Sequence, residues 1–140
     1  MLQNRSIPPV TVIPELAYPD VGAAADWLRD VFGFSVRLRI ANHRIQMNVG
    51  DGAIVVVERP TERESASRSP NSWHSVMVRV DDVNAHPTRA SGRGARIVRP
   101  PTDYPFGERQ YTAQDLGGHT WTFTQSIADV DPASWGGIAE

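Results

Sequence analysis

The chain has no cysteine, and that one absence removes several functions. No disulfide can staple the fold, no thiolate can hold zinc, and no cysteine nucleophile can act. An excess of one charge is lacking too: fourteen basic residues stand against sixteen acidic ones, the formal net charge is −2, and like charges form no run. An electrostatic footprint for nucleic acid or an anionic membrane surface is therefore not expected. Long hydrophobic runs are missing. The opening residues MLQNRSIPPV carry no apolar core of signal-peptide length, and no stretch stays apolar for the roughly 20 residues a bilayer span needs. The expected setting is cytoplasmic, with no nucleic-acid and no membrane partner. No glycine-rich phosphate loop follows a strand, because Gly92-Arg93-Gly94 reads as a helix stop. Ser72 and Ser75 flank Trp73 and His74, but no spaced Ser-His-Asp set accompanies them.

What is present is one pattern written twice. The first copy is IPELAYPDVGAAADWLRDVFGF followed by HRIQMNVGDGAIVVVER; the second is HSVMVRVDDVNAHPTRASGRGARI followed by ERQYTAQDLGGHTWTFTQ. Each opens with an apolar strand closed by aspartate (Asp20; Asp81 and Asp82), continues into a helix, and ends strand, Gly turn, strand. A repeat of roughly 50–60 residues constrains a fold more than any single residue does. At 140 residues and 40% hydrophobic, the chain can bury a proper core as one domain. The expected class is α+β: two tandem βαβββ modules, at about residues 10–60 and 73–126, forming a concave mixed sheet with a central cleft. Residues 61–72 read as a solvated linker and 127–140 as a tail in which Trp135 is an expensive residue to leave in water.

Periodicity supplies the elements. Val10 to Tyr18 reads as a strand with an irregular start at Pro14, and Asp20 as an N-cap. Ala24, Trp27, Leu28 and Val31 then form one helical stripe ended by Gly33. Phe34 to Ile40 alternates Val36, Leu38 and Ile40 against Arg37 and Arg39. Asp51-Gly52 is a hairpin signal before a return strand, Ala53 to Glu58. In the second half, Trp73 to Val80 is a strand, and Pro87 is tolerable if the helix starts near Val83. Arg96 to Arg99 is a strand and Pro100 to Gly107 a loop. The last hairpin is Glu108 to Gln114 and Thr120 to Gln125.

These halves, and above all FGERQYTAQDLGGHTWTF, resemble the vicinal oxygen chelate superfamily of glyoxalases, bleomycin-resistance proteins and extradiol dioxygenases. The resemblance covers about residues 10–126 and is most similar to the bleomycin-resistance and glyoxalase-like branches. It implies paired βαβββ modules and a homodimer. It also implies where a metal would sit: a His or Gln seven positions before the helix-opening Asp, and a Glu four positions after the hairpin Gly. Those positions hold Ile13 and Val56 in the first half and His74 and Thr122 in the second. Ile and Val cannot ligate a cation, and a dication needs three or four N or O donors. No metal and no cofactor is therefore expected.

The remaining candidates come from strand alternation. One face takes Ile45, Met47, Val49, Tyr111, Ala113, Trp121 and Phe123 against the helices. The other carries Arg44, Gln46 and Asn48, then Gln110, Thr112, Gln114, Thr120, Thr122 and Thr124, and either meets bulk water or lines a wet pocket. The expected ligand-binding residues are His74, Glu58, Arg44, Gln46, Asn48, Gln110, Thr112 and Thr122, around a neutral or weakly anionic organic molecule. His74 has three readings: a hydrogen-bonding group, a ligand-contacting or proton-transferring group, and a surviving metal ligand. Glu58, on the strand face of Ile54 and Val56, either joins His74 as a catalytic pair or is a solvated strand end. His119 reads as structural, His43 as exposed, and Arg109 as paired with Glu108 or Asp115. The expected function is metal-free binding of a small organic ligand. The alternative is a metal-dependent lyase, isomerase or dioxygenase, and a third is a non-catalytic regulatory module.

Overall fold

The structure, a computed structural model, describes residues 2–59 and 74–139. The expected linker at 61–72 and the expected strand start at Trp73 lie outside the described residues. The chain forms two compact units, Met1–Pro70 and Asn71–Glu140.

In the first unit, β1 (Glu15–Tyr18), α1 (Val21–Phe32), β2 (Ser35–Ile40), β3 (Arg44–Val49) and β4 (Gly52–Glu58) form a βαβββ module. The sheet order is β1-β4-β3-β2, with β1 parallel to β4 and the other pairs antiparallel. The Asp20 carboxylate accepts from the Ala23 amide at 2.9 Å, satisfying a first-turn donor of α1. Gly33 ends the helix at φ 81°, while its own amide and that of Phe34 return to the Arg29 and Leu28 carbonyls. The buried stripe is Val21, Ala24, Ala25, Leu28, Val31 and Phe32. Trp27, expected within it, is half-buried and stands edge-on to Phe32. Beneath α1 lie Leu16, Tyr18, Ile45, Met47, Ile54 and Val56, all buried; burying an aliphatic side chain of this size contributes about 1.5–3 kcal/mol.

Two expectations change here. The strand expected over Val10 to Tyr18 is regular only from Glu15, because Pro14 has no amide to donate. In β2 a bulge between Val36 and Leu38 breaks the alternation. Val36 faces Met47 while Leu38 faces Gln46, so the two do not share a side.

The second unit repeats the plan with β5 (Val76–Arg79), α2 (Ala85–Gly92), β6 (Arg96–Tyr104), β7 (Glu108–Gln114) and β8 (Thr120–Ser126). Its order is β5-β8-β7-β6, again with only the first pair parallel. Asp82 caps the approach to α2, its carboxylate accepting from the amides of Asn84 and Ala85 at 3.0 Å. Pro87 falls in the first turn, where a missing amide costs nothing. Tyr111, Ala113, Trp121 and Phe123 form the expected buried face. The loop expected from Pro100 is instead strand as far as Tyr104. β6 is an edge strand with two register shifts, and an edge tolerates the consecutive prolines Pro100 and Pro101.

Candidate functional site

Each sheet has a second face, turned away from its helix, and strand register decides what stands on it. In the first unit Arg44, Gln46 and Asn48 lie opposite Val57, Val55 and Ala53. That face is therefore less polar than β3 alone suggests, since β4 is apolar on both sides. Gln46 is 2% exposed. Its side-chain oxygen accepts from the Arg37 guanidinium and its amide nitrogen donates to the Ser6 carbonyl at 2.8 Å. Arg37 reaches further, to the Arg5 carbonyl at 3.0 Å. Arg44 forms an ion pair with Glu15, and Asn48 donates to the Ser35 hydroxyl at 3.3 Å.

In the second unit the corresponding face carries Gln110, Thr112 and Gln114 opposite Thr124, Thr122 and Thr120. β5 adds Met77 beside Thr122 and Arg79 beside Thr124. Gln110 donates to the Thr124 hydroxyl at 3.2 Å, and Thr124 donates to Glu108 at 2.8 Å. Arg79 donates to the Ser126 hydroxyl at 2.7 Å and stands 3.6 Å from Glu108. The Ser126 hydrogen bond, then that of Thr124, together with the Arg79 charge, holds the Glu108 carboxyl below its ordinary value against some desolvation. Sequence reasoning missed the Arg79–Glu108–Ser126 group. Its only signal was that period two puts Arg79 on the Thr124 face once the parallel register is known. Thr112, Thr122 and Gln114 are partly exposed, and Met77 is 61% exposed.

The metal positions implied by the sequence resemblance do not line up as counted. Val56 lies opposite Ile45 on the α1 side, whereas Thr122 lies opposite Thr112 on the polar side. Gly52 is already paired in its strand, opposite Val49, while Gly118 still belongs to the turn. Counting four residues from each glycine therefore lands on opposite faces. Val55 is the counterpart of Thr122. The correction changes no chemistry: Ile13, Val55, Val56, His74 and Thr122 supply one imidazole and one hydroxyl. This donor set does not fit a divalent ion. Among the described residues no group of three or more His, Cys, Asp or Glu side chains could hold one.

Glu58 does share a face with Ile54 and Val56, but register places that face on the α1 side, with Glu58 opposite the buried Tyr18 at the strand end. It is thus on the other side of the sheet from Arg44, Gln46 and Asn48. His74 is exposed and precedes β5 in the second unit. His43 is exposed. His86 turns inward: its ring lies 4.3 Å from that of Phe123, and Nδ1 shares a hydrogen bond with the Tyr111 hydroxyl. Burial pushes the Tyr111 phenol well above its usual value, so that hydroxyl keeps its proton. His119 is buried in the turn, and its amide donates to Asp115 at 3.0 Å. Arg109 pairs with Asp103 through two bonds of 2.6 and 3.1 Å, not with Glu108 or Asp115, because register sets Arg109 opposite Asp103.

Comparison with known proteins places this architecture. TioX from Micromonospora sp. ML1 is similar at 36% identity and a TM-score of 0.71, over 84% of this chain and 99% of that one. A glyoxalase/bleomycin resistance protein/dioxygenase from Nocardioides shares the fold at 19% identity and a TM-score of 0.67, over 94% and 90% of the two chains. A glyoxalase/bleomycin resistance protein from Streptomyces sp. CB03234 does so at 23% and 0.64, over 81% and 97%. No curated protein matches the sequence at a significant level. Residues 7–123 match the Glyoxalase/Bleomycin resistance protein/Dioxygenase superfamily, and with two βαβββ modules in sequence and structure alike, the chain belongs to that superfamily.

Proposed function

We propose that this chain binds a small organic molecule on the polar faces of its sheets, without a metal ion, and acts by sequestering it. The observation that carries the reading is the second sheet's outer face. Thr112, Gln114, Thr120 and Thr122 offer partly exposed, uncharged hydrogen-bonding groups next to the exposed thioether of Met77. A surface mixing hydroxyl, amide and apolar groups suits a neutral or weakly anionic organic ligand better than a phosphate or a polyanion. The poor donor set at the implied metal positions supports the metal-free part. A second copy of the chain, as a homodimer, belongs to the same proposal.

The test is thermal denaturation in a chelator-containing buffer with a panel of organic compounds. The panel centres on neutral and weakly anionic compounds; bleomycin, a cationic glycopeptide that appears in the names of the family and of the Streptomyces relative, is included to test the opposite charge. A binder at about 100 times its Kd stabilises by about 2.7 kcal/mol, a rise of several degrees, and Thr122→Val should reduce it. Stoichiometric Zn, Ni, Mn or Fe in the purified protein, or stabilisation that requires such an ion, would overturn the proposal.

A further inference from the structure

The first sheet's polar face already holds something: the protein's own backbone. Asn4 accepts from the Ser6 amide at 3.0 Å, making a tight turn. That turn presents two successive carbonyls, those of Arg5 and Ser6, to the side chains of Arg37 and Gln46. The geometry is specific. Arg37 has only donors, so the Gln46 oxygen must face it, at 2.5 Å, and the Gln46 amide nitrogen is thereby aimed away from Arg37, at an acceptor. The pair offers two donors side by side, one of them charged, and Gln46 is almost fully buried beneath what it binds. Pro8 is buried just beyond the turn. The bulge in β2 lies between Val36 and Leu38, at Arg37 itself.

We propose that Arg37 and Gln46 form a recognition site for two neighbouring amide carbonyls, and that residues 2–7 occupy it as a built-in peptide strap. The ligand class follows from the occupant: a peptide-like molecule that presents successive carbonyl oxygens and displaces the strap. This inference rests on the reading that the polar faces take an organic ligand, and it adds a ligand chemistry and a competitor for the first of those faces. The strap must open before such a ligand enters, so affinity is set partly by how firmly Arg37 holds Arg5.

Two measurements test it. In the full chain, trypsin can cut the Arg5–Ser6 bond only when the strap is released, and cleavage after the exposed Arg93 serves as an internal reference. Arg37→Ala should raise the ratio of the two rates about tenfold, as loss of a charge-assisted bond predicts; an unchanged ratio overturns the strap. The second measurement uses a chain lacking residues 2–7, titrated with the acetylated and amidated peptide of those residues. Saturable movement of the backbone amide resonances of β2 and β3 in 1H–15N spectra, lost in Gln46→Leu, is expected. Movement that survives Gln46→Leu, or none in a folded protein, overturns the site; if the shortened chain does not fold, the tryptic ratio decides. If a compound of the panel loses binding in Gln46→Leu, and so sits on the first face, yet binds the full and shortened chains equally, the strap falls and the general ligand reading stands. If the peptide binds but no organic compound does, the reverse holds.

Discussion

The indole nitrogen of Trp121 donates to the Asp115 carboxylate at 2.9 Å, and both residues are buried. The other carboxylate oxygen takes the amides of Gly117 and His119 at 2.9 and 3.0 Å. One side chain thus fixes the turn between β7 and β8 and the depth of Trp121, the largest core side chain among the described residues of the second unit. In the string Asp-Leu-Gly-Gly-His-Thr-Trp, the aspartate is the brace and the histidine is held by its backbone.

Asp115→Ala should therefore strand a buried indole donor and two turn amides. A loss of about 3 kcal/mol is expected, lowering the melting temperature by on the order of 10 °C. Asp115→Asn, which retains one acceptor, should cost less. Equal melting points for wild type and Asp115→Ala would refute the brace.

Glu108 gives a pH prediction. Its folded carboxyl titrates below the ordinary range because Ser126, Thr124 and Arg79 favour the charged form. The unfolded chain then binds its proton first, so the stabilisation is fully present above about pH 4.3 and is lost as pH falls through the lower folded value. Glu108→Gln should flatten the acid limb of a melting-temperature profile below about pH 4.5 and change little at pH 7 in its slope. An identical acid limb in the variant would contradict this.

Gly107 anchors the tail. Its carbonyl accepts from the amides of Ile127 and Ala128 at 2.8 and 3.3 Å, its φ is +86°, and a β-carbon there would run into the Ala128 carbonyl. Gly107→Ala combines a strained backbone with a backbone clash and should cost about 2–3 kcal/mol. Urea denaturation would measure it; a change below half a kcal/mol would show that the tail simply moves aside.

Trp135 sits against Phe106, with ring centroids 5.3 Å apart, and is 46% exposed. A docking this partial should contribute about 1 kcal/mol, less than the 2 kcal/mol typical of a fully buried anchor. Light scattering on the intact chain, and on one ending at Ser126, should give a dimer in both cases, with a modestly lower melting point for the shorter form. A monomeric intact chain would refute the proposed dimer, and an unchanged melting point would remove the role of Trp135.

The sequence by itself determined the two βαβββ modules, because each element rests on local chemistry. Asp20 caps, Gly33 stops, Asp51-Gly52 turns, and period-two alternation sends Ile45, Met47, Tyr111 and Phe123 to one side. It also determined that the implied metal positions hold between them only one imidazole and one hydroxyl, since residue identity needs no geometry. Only tertiary structure decided the rest. A bulge at Arg37 is one extra residue whose effect appears only when β2 meets β3. The facing of Glu58 depends on which side of β4 the helix covers, and alternation alone cannot name that side. Arg79 meets Glu108 and Ser126 across three strands, and residues 2–7 reach Gln46 from forty positions away. Such contacts between distant residues leave no local period to read, because register and chain crossing, not spacing, bring them together.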